Sequence, residues 1–65
     1  MVKNRVKEIR KNLEMSQGQL AVKSGVSVST ISEVENGTNQ PSIEVALRLA
    51  KALKAPVGDV FQLLE

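Results

Sequence analysis

The chain has 65 residues, nine Lys and Arg against seven Asp and Glu, a formal net charge of +2, and neither Cys nor His. Disulfides and thiolate metal sites are thereby excluded, and the commonest metal ligand and general base is missing, so no cofactor, metal or catalytic residue is expected. A chain this short forms one domain, residues 1–65. It buries only roughly 60% of its unfolded surface, and with no staple available a partner subunit is the remaining common source of stability.

No apolar run approaches the ~18 residues of a membrane span, and no signal-peptide pattern opens the chain. The expectation is a cytoplasmic protein without a membrane partner. The sequence pI near 9.3 points only weakly to nucleic acid. The cations are unevenly spread. Lys3, Arg5, Lys7, Arg10 and Lys11 crowd the first segment, whereas Ser24 to Gly37 holds no cation and two carboxylates, Glu33 and Glu35.

Helical periodicity dominates from the start. Val6, Ile9 and Leu13 share one face of a first helix, about Lys3 to Asn12. Ser16 with Gln19 three residues later is a capping-box pattern and opens a second helix, Gln17 to Ser24, with Leu20 and Ala21 inward. Gly25 ends it as a left-handed stop. Ser27 caps a third helix, Val28 to Asn36, with Ile31 and Val34 on its inner side, and Asn36-Gly37 stops it. After a polar loop, Pro41-Ser42 starts a fourth helix, about Ser42 to Leu53. Ile43, Ala46, Leu47, Ala50 and Leu53 are expected as its buried stripe, with Leu49 widening it. Beyond Pro56 a last short helix, about Val57 to Leu63, carries Val60, Phe61 and Leu64. No segment alternates with period two for long enough to be a strand. The expected fold is all-α, a compact five-helix domain around one small core.

The second and third helices and their Gly-containing turn read as a helix-turn-helix over about residues 17–36. In that twenty-residue frame Ala21 is fifth, Gly25 ninth, Ile31 fifteenth and Val34 eighteenth. A small fifth residue lets the helices approach, the ninth takes φ > 0 without strain, and the last two pack the second helix on the first.

With SQGQLA, GVSVSTISEVENG and PSIEVALRLAKALKAPVGDVF, the chain resembles the lambda-repressor-like, Xre-type (Cro/C1-type) helix-turn-helix regulators over nearly its whole length. The resemblance implies a sequence-specific regulator of transcription that binds double-stranded DNA, a repressor on a palindromic operator. The third helix would lie in the major groove with its N-terminal residues at base edges. The implied base readers are Ser27, Val28, Ser29, Ser32 and Glu33. Val28 either meets a thymine methyl or is an ordinary exposed apolar residue; Ser29 and Ser32 either bond base edges or phosphates, or are solvated. Glu33 either accepts from cytosine N4, or acts as a filter by repelling phosphates, or bonds a neighbour; relatives often carry Lys, Arg or Gln there. The implied phosphate contacts are Arg10, Ser16, Gln17, Thr30, Asn36, Thr38, Asn39 and Gln40. Each has a plainer role open to it, as a cap, a packing residue or a polar turn. The resemblance also pairs Arg10 with Glu35, fixing the angle between the first and third helices.

Val57, Val60, Phe61, Leu63 and Leu64 are many apolar residues for one short helix, and they are expected to form a homodimer interface. The alternative function is a protein-interaction module such as an antitoxin, whose Lys-free third helix suits a basic partner protein. An enzyme is not expected, since the Ser residues have no base partner. Nor is a small-molecule effector, since no second domain forms a pocket.

Overall fold

The computed structural model describes residues 2–63. In chain order they form β1 (Val2–Asn4), α1 (Val6–Asn12), α2 (Gln17–Ser24), α3 (Val28–Asn36), α4 (Ile43–Ala52), α5 (Val57–Val60) and β2 (Phe61–Leu63). The fold is mostly helical with five helices, as the periodicity requires, and the boundaries of α2 and α3 are the expected ones.

The ends of the chain depart from the expectation. β1 and β2 pair antiparallel, with Val2 opposite Leu63, Lys3 opposite Gln62 and Asn4 opposite Phe61. The first helix therefore begins at Val6 rather than Lys3, and the last is a single turn that ends at Val60. Three-residue strands are too short to show alternation, and each exists only because the other end of the chain supplies its hydrogen-bond partner. Phe61, at φ −123° and ψ 128°, already has extended backbone. Leu64 lies outside the described residues.

Three helices begin on the serines that the sequence marks. Ser16 Oγ accepts from Gln19 N at 3.0 Å while Ser16 N donates to Gln19 Oε1 at 2.8 Å, a complete capping box. Ser27 Oγ accepts from Thr30 N and Ser42 Oγ from Val45 N, each at 3.2 Å. Gly25 and Gly37 close α2 and α3 in the left-handed conformation, at φ 73° and 75°.

The core comprises Val6, Leu20, Val26, Ile31, Val34, Leu49, Ala50, Leu53 and Val60. Each fully buried Leu, Ile or Val contributes about 1.5–3 kcal/mol. Three residues expected inside are outside: Leu13 is 45% exposed, Leu47 52% and Ile43 81%. The apolar stripe of α4 is wider than the surface available to cover it. Leu49, Ala50 and Leu53 take the core, Ala46 is half-buried beside them, and Ile43 and Leu47 are left on the flank.

Candidate nucleic-acid interface

The angle of α3 is set by three clamps. Ile31 and Val34, 0% and 1% exposed, seat its inner face in the core. A buried ion pair then joins it to α1: Arg10 Nε donates to Glu35 Oε2 at 2.8 Å and Arg10 Nη2 to Glu35 Oε1 at 3.1 Å. Their side chains are 10% and 2% exposed. Gln17 Nε2 donates to the same Glu35 Oε1 at 3.1 Å, which adds the first residue of α2 to the network. The third clamp, Asn4, was not legible in the sequence as a site residue. Its Nδ2 donates to Val34 O at 2.9 Å and its Oδ1 accepts from Val6 N at 3.1 Å. An Asn one residue before a helix cap was the available signal; its reach to residue 34 was not.

Burial by itself would raise the pKa of Glu35, but hydrogen bonds from Arg10 and Gln17, with the charges of Arg10 and Lys7, hold it below the usual carboxylate range. The carboxylate is therefore ionised at neutral pH and keeps its three donors.

Arg10 lies at the α1–α3 contact rather than on the exposed face of α3. It is 8% exposed, and its remaining nitrogen, Nη1, donates to Met15 O at 2.9 Å. Three of its five N–H groups are used in holding α1, α3 and the α1–α2 connection together, a structural role.

The opposite face of α3 is open. Ser27, Val28, Ser29, Glu33 and Asn36 are exposed and Ser32 is half-buried, at a helical spacing that puts them on one side. Val28 is 44% exposed. At the N-terminus the hydroxyls bond one another: Ser27 Oγ donates to Thr30 Oγ1 at 2.8 Å and lies 3.3 Å from Ser29 Oγ. Glu33 makes no side-chain bond among the described residues, while its carbonyl accepts from Thr38 N and Thr38 Oγ1 at 3.1 and 3.3 Å. That bond folds the loop carrying Thr38, Asn39 and Gln40, all exposed, back against the end of α3.

Gln17 and Ser16 stand at the start of α2. The capping box satisfies the N–H of Gln19 and leaves those of Gln17 and Gly18 outside the helix ladder. A primary amide has two N–H donors, so Gln17 keeps one after bonding Glu35.

The residues expected at a dimer interface separate into groups. Val60 is 0% exposed and belongs to the core, because the turn of α5 points it inward, so it offers no surface to a partner. Phe61 is half-buried against the core. Val57 and Leu63 are 40% and 67% exposed.

Two short helices at a fixed angle, with a left-handed Gly between them and an exposed polar face on the second, define a helix-turn-helix DNA-binding protein. The helix-turn-helix family model HTH_3 matches residues 6–60, and the chain belongs to that family, the Xre or lambda-repressor-like class of DNA-binding transcriptional regulators. It is 39% identical over 64 residues to YgzD of Bacillus subtilis, an uncharacterised HTH-type transcriptional regulator, covering 98% of this chain and 97% of that one. It is 37% identical over 60 residues to the uncharacterised HTH-type transcriptional regulator MJ0272 of Methanocaldococcus jannaschii, covering 92% and 91%. Among solved structures it is similar to the restriction-modification controller protein C.AhdI of Aeromonas hydrophila, with a TM-score of 0.81 and 34% identity over 85% of this chain and 83% of that one. The relatives belong to a family of regulators rather than of enzymes. Among the described residues no helix is long and apolar enough to cross a membrane, and no cluster of metal-ligating side chains occurs.

Proposed function

We propose that residues 1–65 act as one DNA-binding domain, a cytoplasmic repressor that reads a palindromic operator as a homodimer. The observation that carries this reading is the division of α3: its inner face is locked by the core and by Arg10, Glu35 and Gln17, while Val28, Ser29 and Glu33 stand exposed on the other.

In this reading α3 enters the major groove. Val28 meets a thymine methyl, Ser27, Ser29 and Ser32 bond base edges, and Glu33 accepts from cytosine N4 or repels misplaced phosphates. A phosphate sits at the start of α2, held by the N–H groups of Gln17 and Gly18 and by the remaining amide N–H of Gln17, with the Ser16 hydroxyl beside it. Thr30 and Asn36, with Thr38, Asn39 and Gln40 in the loop, hold a second phosphate. Such contacts fix register and leave sequence to the base readers.

A nine-residue helix is about 13.5 Å long, enough for about four base pairs at 3.4 Å each. A site that short recurs too often to be specific. A second copy doubles the site and places the two helices roughly 34 Å apart. Exposed Val57 and Leu63, with half-buried Phe61, are the proposed contact between copies; Leu64, outside the described residues, is assigned to it by its place in the sequence alone. The test is selection of bound duplexes from random DNA. Recovery of a two-fold symmetric sequence with half-sites one helical turn apart is the expected result; recovery of no preferred sequence overturns the proposal.

A further inference from the structure

A second surface, away from α3, carries a charge pattern that DNA reading does not use. An open groove of about 610 Å³ runs between α2 and α4, lined by Lys23, Ser24, Glu44, Leu47, Arg48, Lys51, Ala52 and Lys54. No residue of α3 or of the loop after it contributes. Of its charged groups only Glu44 and Arg48 are paired among the described residues, at 2.9 Å. Lys23, Lys51 and Lys54 are exposed and have no carboxylate within 4.0 Å among the described residues.

Part of this charge serves the fold. Lys23 and Lys51 lie in the last turns of α2 and α4, and Arg48 Nη1 reaches Ser24 O at 3.5 Å. Two helix ends supply only about half a negative charge each, so with Glu44 they neutralise about two of the four cations. Leu47, 52% exposed, stands in the same groove. A surplus of cations around an exposed Leu is complementary to a segment that is acidic and carries an apolar residue.

We propose that this groove docks a short acidic, amphipathic segment of a partner protein while α3 remains on DNA. From Glu44 to Lys51 the groove follows α4 for roughly 10 Å, the length of two turns of helix. A second copy of this chain is disfavoured as the occupant, because a two-fold contact would set the same cations against themselves. A nucleic acid is disfavoured because its phosphates have no use for an exposed Leu at the centre.

The test is a titration of the isotope-labelled full chain, followed by amide NMR shifts. The probe is a blocked peptide of about ten residues, Glu with Leu at i, i+4 spacing. An all-Glu analogue and an analogue with Gln for Glu are the controls. The expected result is shifts at Lys23, Leu47, Arg48 and Lys51, with at least about tenfold weaker binding of both controls. Lys51→Gln with Lys54→Gln is expected to weaken the peptide about tenfold, lower the melting temperature by no more than a few degrees through the lost helix-end charge and leave affinity for the selected duplex unchanged. Shifts confined to α3, or equal binding of the all-Glu analogue, would overturn the proposal. Equal loss of duplex affinity in the double variant would make the groove a nucleic-acid contact instead. A peptide affinity that falls as the chain self-associates would make the occupant a second copy.

Discussion

Removing either member of the Arg10–Glu35 pair is expected to be among the most damaging single changes available in this chain. In Glu35→Leu, Arg10 Nε and Nη2 and Gln17 Nε2 lose their acceptors at once. Arg10 cannot neutralise itself, because its pKa lies far above any usable pH. In Arg10→Met, Glu35 keeps only Gln17, and Met15 O loses its donor. With side chains 10% and 2% exposed, water cannot replace what is lost without opening the α1–α3 contact. Breaking a buried pair from one side costs about 3–5 kcal/mol. Scaled by length, the whole stability of such a domain is about 3–10 kcal/mol. Each single variant is therefore expected to lose between about a third and all of the domain's stability. The double variant removes both charges and leaves only the Gln17 amide and the Met15 carbonyl unpartnered, so it is expected to cost less than either single. Urea titrations of all four proteins at low temperature, followed by far-ultraviolet circular dichroism at equal m-values, measure the cycle. Single losses below about 1 kcal/mol, the range of exposed ion pairs, would refute the reasoning.

The depressed pKa of Glu35 gives the same pair a pH signature. Its stabilisation is complete above the unfolded-state Glu value of about 4.3 and is lost as pH falls through the lower folded-state value; Glu35→Gln should lack that part of the acid destabilisation, and identical pH–stability profiles would contradict the assignment. Glu14 and Lys54 hold left-handed backbone at φ 55° and 56° on exposed turns. Glu14→Gly and Lys54→Gly are each expected to stabilise by about 0.5–1 kcal/mol, relief of strain exceeding the added chain entropy, and a lowered urea midpoint in both would refute this. Glu33→Lys is expected to strengthen binding to every duplex and make the salt slope steeper by about 0.9; an unchanged slope would place α3 away from the phosphates.

The middle of the chain was legible because its signals are local. Ser16 with Gln19, Ser27, Gly25 and Gly37 act within a turn of themselves, and each does in the structure what its residue type permits. The ends were not legible, since β1 and β2 exist only as partners about sixty residues apart. Asn4 was missed for the same reason, its acceptor being Val34 O. Ile43 and Leu47 were misplaced because periodicity reports an apolar face but not how much of it a neighbour covers. Arg10 pairs with Glu35 as the resemblance implies, but its further bond to Met15 O, which ties in the α1–α2 connection, has no signal in the sequence.

The central claim is that α3 reads bases while the start of α2 grips the backbone. Binding isotherms for Val28→Ala and Gln17→Ala, on the selected operator and on a scrambled duplex of equal length, test it most directly. The loss of one methyl contact at Val28 is expected to cost about 1 kcal/mol or less on the operator and nothing on the scrambled duplex. Gln17→Ala is expected to weaken both duplexes by the same factor. Equal losses on the two duplexes for Val28→Ala would contradict the claim.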